Sequence, residues 1–93
     1  MAFYYAFGTD VNQVFDYLRI KKEKREWIIK QLQSEGYTKQ SICYAAARAE
    51  EKLYRFISDD RMPTILMNEV RKYAFKRDDP RWNRIKKVRS DSL

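Results

Sequence analysis

Nine lysines and arginines crowd positions 71 to 89 of this 93-residue chain: Arg71, Lys72, Lys76, Arg77, Arg81, Arg84, Lys86, Lys87 and Arg89. Ammonium and guanidinium groups at that density suit one chemistry above others, the neutralisation of phosphates, because each contact releases a condensed counterion. The charge is lopsided. Residues 1–60 hold ten basic and nine acidic side chains, net +1, while 61–93 hold ten and four, net +6. Nearly all of the formal +7 therefore sits in the last third of the chain. Cations at a helix C-terminus also answer the helix dipole, which accounts for part of the group from Arg71 to Arg77 without any ligand. Arg81 and Arg84 fall near the start of a further helix, at its positive end, where a compensating anion is expected.

Two secondary groups accompany this face. Lys21, Lys22, Lys24 and Arg25 form a basic run, interrupted only by Glu23. The stretch 27–49 permits a helix-turn-helix reading, with Lys39, Gln40, Tyr44 and Arg48 as exposed positions that could reach base edges. Against it stand Glu35, where such motifs place an apolar residue, and a following helix of about 18–20 residues, longer than a recognition helix. A plain antiparallel helical hairpin is the preferred reading.

Other chemistries are excluded or disfavoured by residue type. With no histidine and a single cysteine, neither a Ser-His-Asp or Cys-His site nor the usual zinc ligand sets can be built. Gly8 and Gly36 stand alone, so there is no phosphate-cradling glycine loop. Of the pairs Glu50-Glu51, Asp59-Asp60 and Asp78-Asp79, the two Asp pairs sit at expected helix starts, where they satisfy free N–H groups and the helix dipole. None is placed beside a nucleophile as metal chemistry would need, and Cys43 reads as a small packing residue. The expectation is a non-enzyme without a cofactor or metal.

These side chains must be positioned by helices. Thr9 or Asp10 caps a first helix with the stripe Val11, Val14, Phe15 and Leu18. A second carries Trp27, Ile28, Ile29 and Leu32 and stops at Gly36. Thr38 caps the third and longest, with Ile42, Ala45, Ala46, Ala49, Leu53 and Phe56 along one side. Ser58, Asp59 and Asp60 end it, Pro63 sits in the first turn of the fourth, and Ile65, Leu66, Val70, Tyr73 and Ala74 form that helix's buried face. Asp79 followed by Pro80 starts a short fifth helix, with Trp82, Ile85 and Val88 on one side. The fold class expected is all-α: a compact bundle of about five helices with a short aromatic N-terminal arm, Phe3, Tyr4, Tyr5 and Phe7. That arm either completes the core or forms an interface patch.

Length and composition make 1–93 a single helical domain, with a basic part at 61–93 and a frayed tail at 90–93. At 44% hydrophobic and 15% aromatic, the chain has the side chains to fold. One cysteine, no signal-like leader and no long apolar run point to a cytoplasmic protein that does not enter a membrane. A homodimer is a further expectation, since a domain this small gains by burying a second face.

Two stretches resemble known families. The residues Leu32-Gln33-Ser34-Glu35-Gly36-Tyr37, then Ile42, then Asp59-Asp60-Arg61, resemble the helical repeats of RecX-type recombinase regulators, although Met62-Pro63 replaces their aromatic-Ala pair. The same stretch, extended to Ile65-Leu66 and Trp82, resembles the helical module of DnaD-like replication initiation proteins, with Tyr73 or Trp82 in place of a tryptophan closing the fourth helix. Each resemblance covers about half the chain and implies a role in DNA transactions.

The reading that joins these points is a non-enzymatic nucleic-acid-binding accessory protein, acting on DNA rather than RNA, in replication, recombination or regulation of phage or plasmid type. The alternative is an interaction module or inhibitor that docks its basic face on an acidic surface of a larger nucleic-acid-processing machine.

Overall fold

A computed structural model describes residues 10–82. The aromatic arm (Phe3, Tyr4, Tyr5, Phe7), the tail 90–93 and the expected last-helix residues Arg84, Ile85, Lys86, Lys87, Val88 and Arg89 lie outside the described residues. Within them the protein is all-α: α1 Val11–Tyr17, α2 Lys22–Ser34, α3 Lys39–Arg48, α4 Glu50–Tyr54 and α5 Met62–Tyr73. No helix among the described residues is long and apolar enough to cross a membrane.

Each boundary has a local cause. The Asp10 carboxylate accepts the Asn12 N–H and caps α1. That helix closes in a Schellman turn, in which the Ile20 N–H donates to Phe15 C=O and the Arg19 N–H to Asp16 C=O. α2 ends the same way, with the Tyr37 N–H donating to Leu32 C=O and the Gly36 N–H to Gln33 C=O. The left-handed position is Gly36 in α2 (φ 96°) but Arg19 in α1 (φ 57°), where glycine is the ordinary choice. Thr38 caps α3 in a reciprocal box: its Oγ1 accepts the Ser41 N–H, and Ser41 Oγ accepts the Thr38 N–H. Pro63 lies in the first turn of α5, where its missing N–H leaves no partner stranded.

The expected 18–20-residue third helix is instead two. Ala49 departs from helical geometry (φ −112°, ψ 23°), although its N–H still reaches Ala45 C=O and its own C=O accepts from Leu53. Alanine is the best helix former, so propensity predicts continuation; the packing around the junction, with Ala49 and Leu53 both buried, overrides it.

α3 is the centre of the bundle and packs most extensively on α5, then on α1. Residues 41–46 are all buried, so the helix is enclosed around its whole circumference. Ala45, Ala46 and Ala49 allow the close approach of neighbouring helices, and Phe15, Leu18, Ile28, Leu32, Leu53, Leu66 and Val70 fill the space between. Met62, Met67 and Glu69 join the buried face expected on α5, while Ile65, Tyr73 and Ala74 are only partly covered. A second cluster joins Tyr44 of α3 to Phe75 and Trp82, with ring centroids 5.3 to 5.6 Å apart. The Trp82 indole N–H donates to the carbonyls of Phe75 and Lys76, which ties the chain after α5 back onto α3.

Candidate nucleic-acid interface

Five of the nine primary cations are described, and their surroundings divide them. Arg71 is committed to an internal partner. Its Nε and Nη2 donate to the two carboxylate oxygens of Glu35, at the end of α2, both at 2.7 Å, and its Nη1 donates to Asn68 Oδ1. This fork holds the Glu35 carboxyl below its ordinary range and raises Arg71. Arg81 is committed likewise. Asp79 Oδ1 accepts both the Arg81 backbone N–H and its Nε at 2.9 Å, and Asp79 Oδ2 accepts Nη2 at 2.6 Å. The guanidinium also lies 4.1 Å from the centroid of Phe75. The anion expected to compensate Arg81 at a helix start is therefore supplied from within the chain, by Asp79.

Asp59 and Arg61 repeat the device at the start of α5. Asp59 Oδ1 accepts the Arg61 backbone N–H and Nε, and Oδ2 accepts Nη2. Asp59 does not cap α5 in the expected way; the cap residue is Arg61 and no side chain bonds it as a cap.

The other three described primary cations are exposed. Lys72 stands 5.2 Å from the Tyr73 ring centroid, and Arg48 of α3 lies 5.8 Å from the same centroid, so one ring brings a primary and a secondary candidate together. Lys76 extends over Tyr37 and lies beside Gly36, within van der Waals reach of where a Cβ would stand. Arg77 donates its backbone N–H to Gly36 C=O at 2.7 Å and keeps its guanidinium outside, 3.9 Å from the exposed Asp78. Lys72, Lys76 and Arg48 form no ion pair among the described residues.

Tyr44 corrects the expectation that it is exposed. It is 5% exposed, sealed by Phe75 and Trp82, and cannot reach a base edge. Lys39 is exposed and Gln40 half-buried, but a helix buried along residues 41–46 has no face free to enter a groove. Base readout from α3 does not fit this burial, and the expected antiparallel hairpin is not formed either: α2 packs on α5 rather than on α3, to which the turn at 36–38 joins it.

The run at 21–25 also separates into different roles. Lys21, Lys22 and Lys24 are exposed. Arg25 turns inward: its Nε donates to Ile20 C=O, its Nη2 pairs with Asp16 at 2.9 Å, and its guanidinium covers Phe15. It is a structural clasp on the α1–α2 corner rather than a surface cation. Lys21 and Lys24, together with Arg19, line a cleft of about 570 Å³ whose far wall is Ser58, Asp59, Asp60, Met62 and Pro63.

Sequence reasoning passed over two residues here, Arg19 and Trp27. Trp27 was expected among the core residues of α2, yet it is 46% exposed while Ile28 and Leu32 carry the burial. The signal was present: Ile28 and Leu32 stand four apart, and Trp27 lies about 100° round the helix from Ile28. Arg19 carried no signal, since its left-handed backbone is visible only in the folded chain.

Cys43 is 1% exposed, and burial, with the negative Asp10 adding to it, pushes its thiol up to about 11. It is a packing residue of the core. No family model matches the chain, and neither a curated protein nor a solved structure does, so the RecX-type and DnaD-like resemblances gain no support from these comparisons.

Proposed function

We propose that this protein is a non-enzymatic accessory of nucleic-acid transactions that binds DNA through its basic C-terminal part, in a replication, recombination or regulatory role of phage or plasmid type. One observation carries the reading: residues 61–93 hold net +6. The exposure of Lys72, Lys76 and Arg77, with Arg48 alongside, supports it. Contacts of this kind go to phosphates, position the protein on the polymer and convey little base sequence. The capture of Arg71 and Arg81 by carboxylates transfers the work to Lys72, Lys76 and Arg77, together with Arg84, Lys86, Lys87 and Arg89.

Fluorescence anisotropy of labelled duplex, single-stranded DNA and RNA, repeated across salt concentrations, tests this. Duplex binding through the basic part has a log–log salt slope of roughly −3 to −5, from about four to six phosphates. A Lys72→Gln/Lys76→Gln/Arg77→Gln variant flattens that slope by about 2 to 3. Absence of binding to all three polymers near physiological salt overturns the reading. The same cations would then serve docking on an acidic protein surface.

A further inference from the structure

The cleft at the α1–α2 corner is lined on one side by Arg19, Lys21 and Lys24, none of which forms an ion pair among the described residues. Across it, Asp59 is already satisfied by the Arg61 fork, which leaves Asp60 as the carboxylate there without an ion pair among the described residues. Cations exceed unpaired carboxylates, so the cleft attracts anions. Both non-glycine residues with left-handed backbones among the described residues, Arg19 at φ 57° and Ser58 at φ 74°, stand in this one cleft. Strained backbone gathers at sites where a side chain is wanted in place. The closing turn of α2 uses glycine at the position where α1 uses Arg19.

Lys24 links the cleft to an aromatic surface. It lines the cleft, and its ammonium lies 5.5 Å from the ring centroid of Trp27, the larger of the two tryptophans' exposed surfaces. A phosphate held by Lys24 therefore has an open indole beside it on which its base can stack. Duplex DNA keeps its bases stacked inside the helix, whereas a single strand offers them to aromatic rings.

We infer that this corner is a single-stranded nucleic-acid site in which Trp27 stacks a base while Arg19, Lys21 and Lys24 hold the adjoining phosphates. The inference rests on the nucleic-acid-binding reading above and adds a second contact, distant in sequence from the basic C-terminal part and specific for unpaired bases.

The two tryptophans make it measurable. Trp82 is 6% exposed and hydrogen-bonded, so the long-wavelength emission of the full chain comes from Trp27. Titration with short oligothymidylate, and with oligouridylate as the RNA arm, quenches that emission. Trp27→Ala weakens single-strand binding by about tenfold, the loss of one stacked base, and leaves duplex binding within about twofold. Arg19→Gly/Lys21→Gln/Lys24→Gln weakens it also and flattens the single-strand salt slope by about 2. Because Arg19→Gly relaxes the backbone at that position, unfolding does not account for the loss, and a thermal melt of the variant checks this.

Preference for the DNA or the RNA oligomer identifies the strand and supports the site in either case. Unchanged emission on binding, or single-strand affinity in Trp27→Ala equal to that of the parent, overturns the site while leaving duplex binding by the basic part intact. Failure of the parent to bind any nucleic acid removes both readings together.

Discussion

Arg71 on α5 grips Glu35 at the end of α2 through two 2.7 Å hydrogen bonds, joining residues 36 apart in sequence. The acidic residue that argued against a groove-reading turn is the one that fastens that turn to α5. Its place in the fold explains its type: an apolar side chain at Glu35 would leave the Arg71 guanidinium without its carboxylate.

Because Arg71 is 37% and Glu35 29% exposed, solvent screens the pair, and Glu35→Ala costs about 1 kcal/mol in chemical denaturation. The Glu35 carboxyl is held low in the folded state by its bond from Arg71. Its contribution is therefore complete above the unfolded value near 4.3 and disappears as pH falls through the lower folded value. Urea midpoints of parent and Glu35→Gln converge in acid; a constant gap between them would show that the pair does not titrate with folding.

Asp79 should stay ionised to about pH 2, drawn down first by the Arg81 side chain and then by the Arg81 backbone N–H. NMR observation of its carboxyl carbon places the midpoint there in the parent. In Arg81→Ala the midpoint moves up toward the ordinary value near 3.9 but stops short, because the backbone N–H remains. The stabilisation it gives is present above the unfolded value and is lost as pH falls through about 2. A parent midpoint near 4 would mean that the clip is open in solution.

Lys52 and Glu69 form an asymmetric pair. The Glu69 side chain is 4% exposed and Lys52 52%, their 2.9 Å bond uses Oε2, and Oε1 has no hydrogen-bond partner among the described residues. Removing Lys52 strands a buried carboxylate, whereas replacing Glu69 by an apolar residue of similar size strands nothing buried. Lys52→Met is expected to cost about 1–2 kcal/mol, and Glu69→Met to lie within about 1 kcal/mol of the parent. Thermal melts of the two variants decide it, and the reverse order would refute the asymmetry.

Arg19 and Gly36 hold equivalent positions in two Schellman turns, so opposite substitutions should have opposite effects. Gly36→Ala meets only ordinary contact with Lys76 but must adopt φ near 96°, at about 1–2 kcal/mol. Arg19→Gly releases a residue from φ 57° and should raise stability by up to about 1 kcal/mol, or several degrees in Tm. Loss of stability in Arg19→Gly would show that the arginine side chain holds the corner together.

Much of the fold was legible because it rests on local chemistry. Asp10, Thr38 and Gly36 mark helix ends by mechanisms confined to a few residues, and the spacing of Val11, Val14, Phe15 and Leu18 needs only one helix to be understood. The break at Ala49 was not legible, since it follows from what packs against both sides of a residue that favours helix. The candidate site was legible as charge and not as geometry. Composition counts Arg71 and Arg81 as cations, but only the folded chain pairs them with Glu35 and Asp79. Tyr44 was misplaced for a related reason: the rings that cover it, Phe75 and Trp82, come from a segment more than thirty residues later.

The enclosure of α3 gives the protein a built-in clock. The chain's one thiol sits at its centre, on Cys43, and stays protonated until about pH 11. An alkylating reagent therefore reaches it only during the moments when the helices around α3 separate. The rate at which label accumulates counts those openings, and a ligand that clasps the bundle, whatever its chemistry, slows the count without touching the sulfur.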